Sequence, residues 1–459
     1  MKGKKTFSKL LAVCFVVGAF LTSCGSDDNS AVVKNIDGYM FALLRDINED
    51  GTTATTDTHP YAVMDFNPYS EDFGAIINQK EGQLGHHAYI SPVNGQIYVS
   101  LADDMARRVH VQVTDGTPVV HHLETPLADE GMRVGEDIFW FKENGQDRFA
   151  VTSLAGDDSE SNGGGIVVYN ANTDAVVRVI KDGHKYTHGI SMLDNSTTAL
   201  VTEVIHEDIA ISGSPAVIAE NIGQFARLVD LATGSTIESY DLGTIPAGPI
   251  AGFGVSPVES LILRGSIHPA FEGNEKALVM NMLAGDIRVA DWNDTDGKFG
   301  EFTSKFSPGA SDSWGYFGLE FYATNDSDEA DGKAKLYVTY AQKVITFDLA
   351  TLANTGELVK TSVEFDTKTC AHHLAFYDVT NPETGETVPV LIVQQNLLNL
   401  GQEAFNTPFP LDISLGSHEV TAFNRATGEQ IKTVNIQAKH GYGIEFVGGL
   451  DEDAYPHHH

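Results

Sequence analysis

Cysteine is nearly absent from this chain. There are three in 459 residues; Cys14 and Cys24 stand near the N-terminus, which leaves Cys370 as the only thiol of the main body. Internal disulfides are thereby excluded, and the fold must rest on its own apolar core, which a 42% hydrophobic content allows. Basic residues are also scarce, 29 Lys and Arg against 63 Asp and Glu, a formal charge of −34. Phosphate binding by counterion release needs a basic face, so nucleic acid is excluded as a partner and cations are attracted instead. Sustained helical periodicity is missing, and no apolar run reaches the ~20 residues that cross a bilayer. The Gly-x-Ser-x-Gly elbow, the Walker A loop and the dinucleotide fingerprint are likewise absent, which leaves covalent and nucleotide chemistry without support.

What is present begins at the N-terminus. Lys2, Lys4, Lys5 and Lys9 precede an apolar run from Leu10 to Phe20 that ends in Leu21-Thr22-Ser23-Cys24. Charge, length and ending match a cleavable signal peptide, residues 1–23, and the tetrad resembles a lipobox. That resemblance implies lipidation of Cys24, a polar tether over 24–35, and a protein held to a membrane of the bacterial cell envelope, facing the periplasm or cell surface. Residues 1–23 carry four lysines and no acid, so their removal takes the formal charge from −34 to −38.

From residue 36 to 449 the chain reads as short apolar runs bounded by Gly, Asn, Asp and Pro, the pattern of an all-β protein. One motif recurs: His or an aromatic, then a small residue or His, then an apolar strand. It stands at His86-His87-Ala88, His188-Gly189-Ile190, Phe253-Gly254-Val255, Phe317-Gly318-Leu319, His372-His373-Leu374 and Tyr442-Gly443-Ile444, with a weaker copy between Met132 and Trp140. Seven copies predict a seven-bladed β-propeller. The last copy has only the acidic, His-bearing tail 450–459 behind it, whereas the first strands, from Tyr39, lack an inner partner. One blade built from both termini would close the ring and remove the open edges. Six or eight blades, or paired β-sandwiches, are the alternatives.

The first motif position is the entrance of each innermost strand. His86, His188 and His372 therefore ring the channel mouth, with His87, His373 and His440 beside them and His268 on a loop over it. Neutral imidazoles that converge from separate blades suit zinc or copper, and protonation near pH ~6.5 would release the metal in mild acid. A backbone-capping role for each histidine is the plain alternative. Glu203 with His206, Glu207 and Asp208 forms a smaller acid–base cluster. A second pattern, Asp46, Asn48, Asp50, Thr52 and Asp57, follows the oxygen spacing of an EF-hand calcium loop, with Asp in place of the usual final Glu and strands in place of the flanking helices. An acidic β-turn is the plain reading there, and a structural calcium loop the alternative.

With Gly85-His86-His87, Thr187-His188-Gly189 and Cys370-Ala371-His372-His373 in place, the chain resembles the periplasmic zinc-metallochaperone propellers that accompany ABC-type zinc importers. The resemblance implies zinc held in the channel and handed to a solute-binding protein, with no reaction catalysed. A lipid anchor and a C-terminal His run depart from that pattern. The alternatives are a copper-dependent redox enzyme with a His-lined hub, and a metal-free surface propeller that binds protein or glycan.

Overall fold

The structure is a computed structural model that describes residues 38–44, 59–101, 104–114, 117–156, 163–181, 186–205, 222–247, 251–307, 320–340, 342–368, 370–396, 419–435 and 445–447. The signal segment and tether with Cys24, the acidic loop from Asp46 to Asp57, His206 to Asp208, His440 and the tail 450–459 lie outside these residues, as do the side chains of His86 and Cys370.

Seven antiparallel sheets follow one another along the chain. Blade I holds β1 (Tyr39–Leu43), β2 (His59–Asp65) and β3 (Ile76–Gly82). Blade II is β4 (Gly85–Ile90), β5 (Ile97–Leu101), β6 (Ala106–Thr114) and β7 (Thr117–Leu123). Blade III is β8 (Met132–Glu143), β9 (Gln146–Gly156), β10 (Gly163–Asn170) and β11 (Val176–Ile180). Blade IV is β12 (Thr187–Met192), β13 (Thr198–Ile205), β14 (Ile222–Asp230) and β15 (Ser235–Asp241). Blade V is β16 (Pro257–Leu263), β17 (Lys276–Asn281) and β18 (Asp286–Asn293), whose outer edge is shared by β19 (Lys298–Phe299) and β20 (Thr303–Phe306). Blade VI is β21 (Phe321–Ala323), β22 (Lys335–Tyr340), β23 (Lys343–Asp348) and β24 (Lys360–Asp366). Blade VII is β25 (Cys370–Thr380), β26 (Thr387–Asn396), β27 (Glu419–Asn424) and β28 (Gln430–Asn435).

The last strand, β29 (Glu445–Val447), pairs with β1 through Phe41↔Val447, Ala42↔Phe446 and Leu43↔Glu445 and becomes the innermost strand of blade I. The closure expected from the two termini is therefore present, and the protein is a seven-bladed β-propeller. Phe73 lies in the turn that precedes the outer strand of blade I, which starts at Ile76.

Apolar packing lies in the seams between blades, one buried cluster to each. Met40, Ala42 and Met64 of blade I meet Tyr377, Val390 and Ile392 of blade VII. Phe41 and Tyr61 meet Val99 and Val109 across the next seam, and equivalent clusters fill the other five. Because a blade is covered on both faces, its middle strands are apolar throughout rather than alternating: Ile97-Tyr98-Val99-Ser100-Leu101 is buried at every position. Between blades VI and VII the rings of Tyr322 and Phe376 stack at 3.8 Å between centroids, a contact worth about 0.5–1.5 kcal/mol beyond the area it buries.

Candidate functional site

The hub is built by a local device that repeats. Five of the inner strands carry one extra residue against their partner: between Gly85 and Ala88 in β4, Gly135 and Ile138 in β8, Thr187 and Ile190 in β12, Pro257 and Glu259 in β16, and Ala371 and His373 in β25. A bulge of this kind re-aims side chains and takes a backbone N–H out of the ladder. In three of these blades a hydroxyl on the second strand replaces the lost acceptor. His87 N–H donates to Ser100 Oγ at 2.9 Å, Asp137 N–H to Thr152 Oγ1 at 2.9 Å and Gly189 N–H to Thr202 Oγ1 at 2.8 Å. Blade VI uses the same device, with Glu320 N–H donating to Thr339 Oγ1 at 3.0 Å. Two of the hydroxyls also tie one blade to the next, Thr152 donating to His188 O at 2.5 Å and Thr202 to Val258 O at 2.8 Å. Gly189 is required at its bulge because a Cβ there would lie 2.8 Å from Val258 O. Three chains enter their bulges through left-handed residues, Val134 (φ 59°), Tyr186 (φ 45°) and Ser256 (φ 56°). Each such residue costs on the order of 1–3 kcal/mol and persists where its surroundings over-determine it.

The heads of these strands carry four buried carboxyl groups and four buried imidazoles in two groups: Glu136, Asp137 and Glu259 with His87 and His188, and Glu320 with His372 and His373. Glu136 Oε2 faces two rings, His87 Nε2 at 3.1 Å and His188 Nε2 at 3.9 Å. The other nitrogen of each ring faces a further carboxylate. His188 Nδ1 lies 3.1 Å from Glu259 Oε1, and His87 Nδ1 lies 3.1 Å from Asp137 Oδ1 and 2.8 Å from the Tyr89 hydroxyl. Tyr89 in turn donates to Asp137 Oδ1 at 2.8 Å, and Ile190 N–H donates to Asp137 Oδ2 at 3.2 Å. Across the hub, Glu320 Oε2 accepts from Leu374 N–H at 2.7 Å and stands 3.7 Å from His373 Nδ1, whose ring lies against that of His372. Among the described residues no three imidazole, thiol or carboxylate groups are already gathered as a metal shell.

This crowding of acids makes the hub hold protons. Burial would lower the His188 pKa, but the hydrogen bond to Glu259 and the charges of Glu136, Glu259 and Asp137 outweigh it and hold the imidazole up at about 9. Burial, then the charge of Asp137, raise Glu259 to about 8 against the opposing effect of His188. Burial likewise pushes Glu320 well above the usual carboxyl range. The expectation of an imidazole that titrates near 6.5 is therefore corrected for His188, because its carboxylate neighbours favour the charged ring.

Of the histidines expected at the channel mouth, the structure brings His87 and His188 together, with ring centroids 6.2 Å apart, and separately pairs the neighbours His372 and His373 at 4.0 Å. His86 shares strand β4 but its side chain is outside the described residues, and His440 is outside them altogether. His268 is elsewhere. It follows the far end of β16, where its Nδ1 accepts from Ala270 N–H at 3.2 Å to cap a 3-10 turn, and its Nε2 lies 3.6 Å from Asp326. The copy of the motif at Phe253-Gly254-Val255 is also corrected, since the inner strand starts at Pro257 and its hub residue is Glu259. Of the expected acid–base cluster only Glu203 is among the described residues: buried on β13, it accepts from Arg227 Nη2 at 2.9 Å, while His206, Glu207 and Asp208 lie outside them. The four hub carboxyl groups were missed by a search for histidine, although Glu136, Asp137 and Glu320 lie inside or beside copies of the motif. Equivalence to His188 in the repeat was the signal that could have found them.

The fold and this hub define a seven-bladed propeller with buried, paired carboxyl and imidazole groups at its centre-facing strand heads. No protein-family profile matches the chain, and no curated protein matches it. Solved structures similar to it in chain path include a periplasmic gluconolactonase from Pseudomonas aeruginosa (10% identity, 89% of this chain and 99% of that one, TM-score 0.48). A protein of unknown function from Desulfotomaculum acetoxidans (13%, 88% and 98%, 0.47) and a protein from Lactobacillus plantarum (10%, 89% and 99%, 0.48) are others. None of these is a metallochaperone by its description, and at this distance none assigns an activity or the lack of one.

Proposed function

We propose that the hub binds a divalent transition-metal cation, zinc first, through His87, His188 and Glu136, and that the protein carries this cargo in the cell envelope to the solute-binding protein of a metal importer. The observation that supports the reading is the arrangement of the two rings. Each is held at Nδ1 by a carboxylate, Asp137 or Glu259, and each turns Nε2 toward the same oxygen of Glu136. Metal-binding histidines are commonly oriented this way, the second nitrogen donating to a carboxylate that fixes the ring and raises its basicity. A buried excess of carboxyl groups also favours a dication. Seating the ion requires Glu136 and the two rings to close on it. Copper competes for the same donors, and the affinity order of divalent metals favours it over zinc.

The test is metal content of the full-length chain after incubation with zinc, or with zinc and copper together, beside the variant His87→Gln/His188→Gln. One equivalent lost in the variant, with its thermal unfolding still cooperative, is the expected result. Equal zinc in both proteins would refute the hub assignment. For the carrier role, loaded protein is mixed with a metal-free zinc importer solute-binding protein; transfer faster than spontaneous release is expected, and transfer no faster would refute it.

A further inference from the structure

We propose a second transition-metal site, independent of the hub, formed on the outer strands of blade II by His110, His122 and Glu124. A bulge creates it: the pairing of β6 with β7 matches His110 to His122 and Val111 to Val120, so His121 is the extra residue. Without that insertion the partner of His110 would be His121. The ladder continues through Glu124 N–H to Arg108 O at 3.0 Å, which sets Glu124 two positions beyond His122 on the same face.

The donor atoms are close to the spacing a small dication needs. His110 Nε2 lies 3.2 Å from Glu124 Oε1, and His122 Nε2 lies 3.6 Å from Glu124 Oε2. Ligands at 2.0–2.1 Å in a tetrahedral zinc shell are separated by about 3.3 Å, so both nitrogen–oxygen distances are near those of a shell edge. The rings are 5.8 Å apart between centroids and tilted by 42°. His122, about half exposed, is free to turn the short distance that would bring three donors onto one ion, and solvent supplies the fourth ligand. Two cations stand beside the group: Lys80 Nζ donates to His121 O at 2.8 Å, and Arg108 Nη2 lies 3.8 Å from Glu124 Oε1, although its shorter ion pair is with Asp174, at 3.2 Å, on the neighbouring blade. Two imidazoles and a carboxylate with an open position are a donor set for zinc, nickel or copper(II), not for calcium or magnesium.

The experiment is zinc titration of the full-length chain, with cobalt(II) absorption as a second readout, in four forms. They are the unaltered protein, His110→Gln/His122→Gln, His87→Gln/His188→Gln, and His121→Gln as a control. Loss of one zinc equivalent and of one cobalt absorption component is expected in His110→Gln/His122→Gln, additive with the separate equivalent lost from the hub in His87→Gln/His188→Gln, with His121→Gln unchanged. The same stoichiometry and affinity in His110→Gln/His122→Gln as in the unaltered protein would overturn the proposal. Because His87→Gln/His188→Gln reports on the hub alone, the failure of one site is read separately from the failure of the other. An equal loss in His121→Gln would also overturn it, since the bulge would then not be selecting His122.

Discussion

Thr202 gives the sharpest test of how the hub is held. Its hydroxyl accepts from Gly189 N–H and donates to Val258 O, both at 2.8 Å, so a single buried oxygen satisfies the bulge of blade IV and links it to blade V. Thr202→Val keeps shape and volume but strands one buried donor and one buried acceptor. At about 1–3 kcal/mol for each unsatisfied group, the expected destabilisation is about 2–6 kcal/mol. Thr202→Ser retains the hydroxyl and removes one methyl, for about 1 kcal/mol. Urea unfolding followed by tryptophan fluorescence separates the two, provided the slope with denaturant is common to all three proteins. Equal midpoints for the Val and Ser variants would show that the hydroxyl does not secure the bulge, and the repeated role assigned to Ser100, Thr152 and Thr339 would fall with it.

Other consequences follow from the charges. Folding raises the pKa of Glu259 from 4.5 to about 8 and of His188 from 6.5 to about 9. In both cases the folded chain binds more protons than the unfolded one across that interval. The metal-free protein should therefore lose stability as pH rises from about 4.5 to 9, and a thermal midpoint that rises over pH 6 to 9 would contradict this. Glu320→Gln removes a buried acid yet can still accept from Leu374 N–H, so it should raise the thermal midpoint at pH 8 and leave it nearly unchanged at pH 5; a lower midpoint at pH 8 would count against burial as the cause of its shift. Arg227→Met removes the charged hydrogen bonds that the guanidinium gives to buried Glu203, and a loss of about 1.5–3 kcal/mol in urea unfolding is expected. Ending the chain before Glu445 removes the inner strand of blade I, exposing the edge of β1, and should produce a protein that aggregates on heating, as light scattering would register.

Much of the architecture was legible because closure and seam packing leave local marks. The double-sided burial of Ile97 to Leu101 and of Lys276 to Asn281 makes each second strand a continuous buried run, and the unpartnered strand at Tyr39 called for a C-terminal complement. The hub was legible only in part, because its equivalence is one of position and not of residue type. His87, Asp137 and Glu320 carry the N–H that meets the second-strand hydroxyl, and Glu136 and His188 stand one residue before it, so neighbouring places at the heads of the strands differ in chemistry and a search keyed to imidazole finds the bases and passes over the acids. The bulges blur the register further: an extra residue in β16 and a left-handed Ser256 displaced the motif at Phe253 from the strand it seemed to open. The hydroxyls that secure the bulges lie about thirteen to nineteen residues along the chain, on the second strand, where Ser100, Thr152, Thr202 and Thr339 look like ordinary β-formers. Reading the pair, a polar residue at the head of one strand and a hydroxyl on the next, would have marked the hub residues of blades II, III, IV and VI together. That pairing explains why a ring can change its hub from base to acid blade by blade without changing its fold.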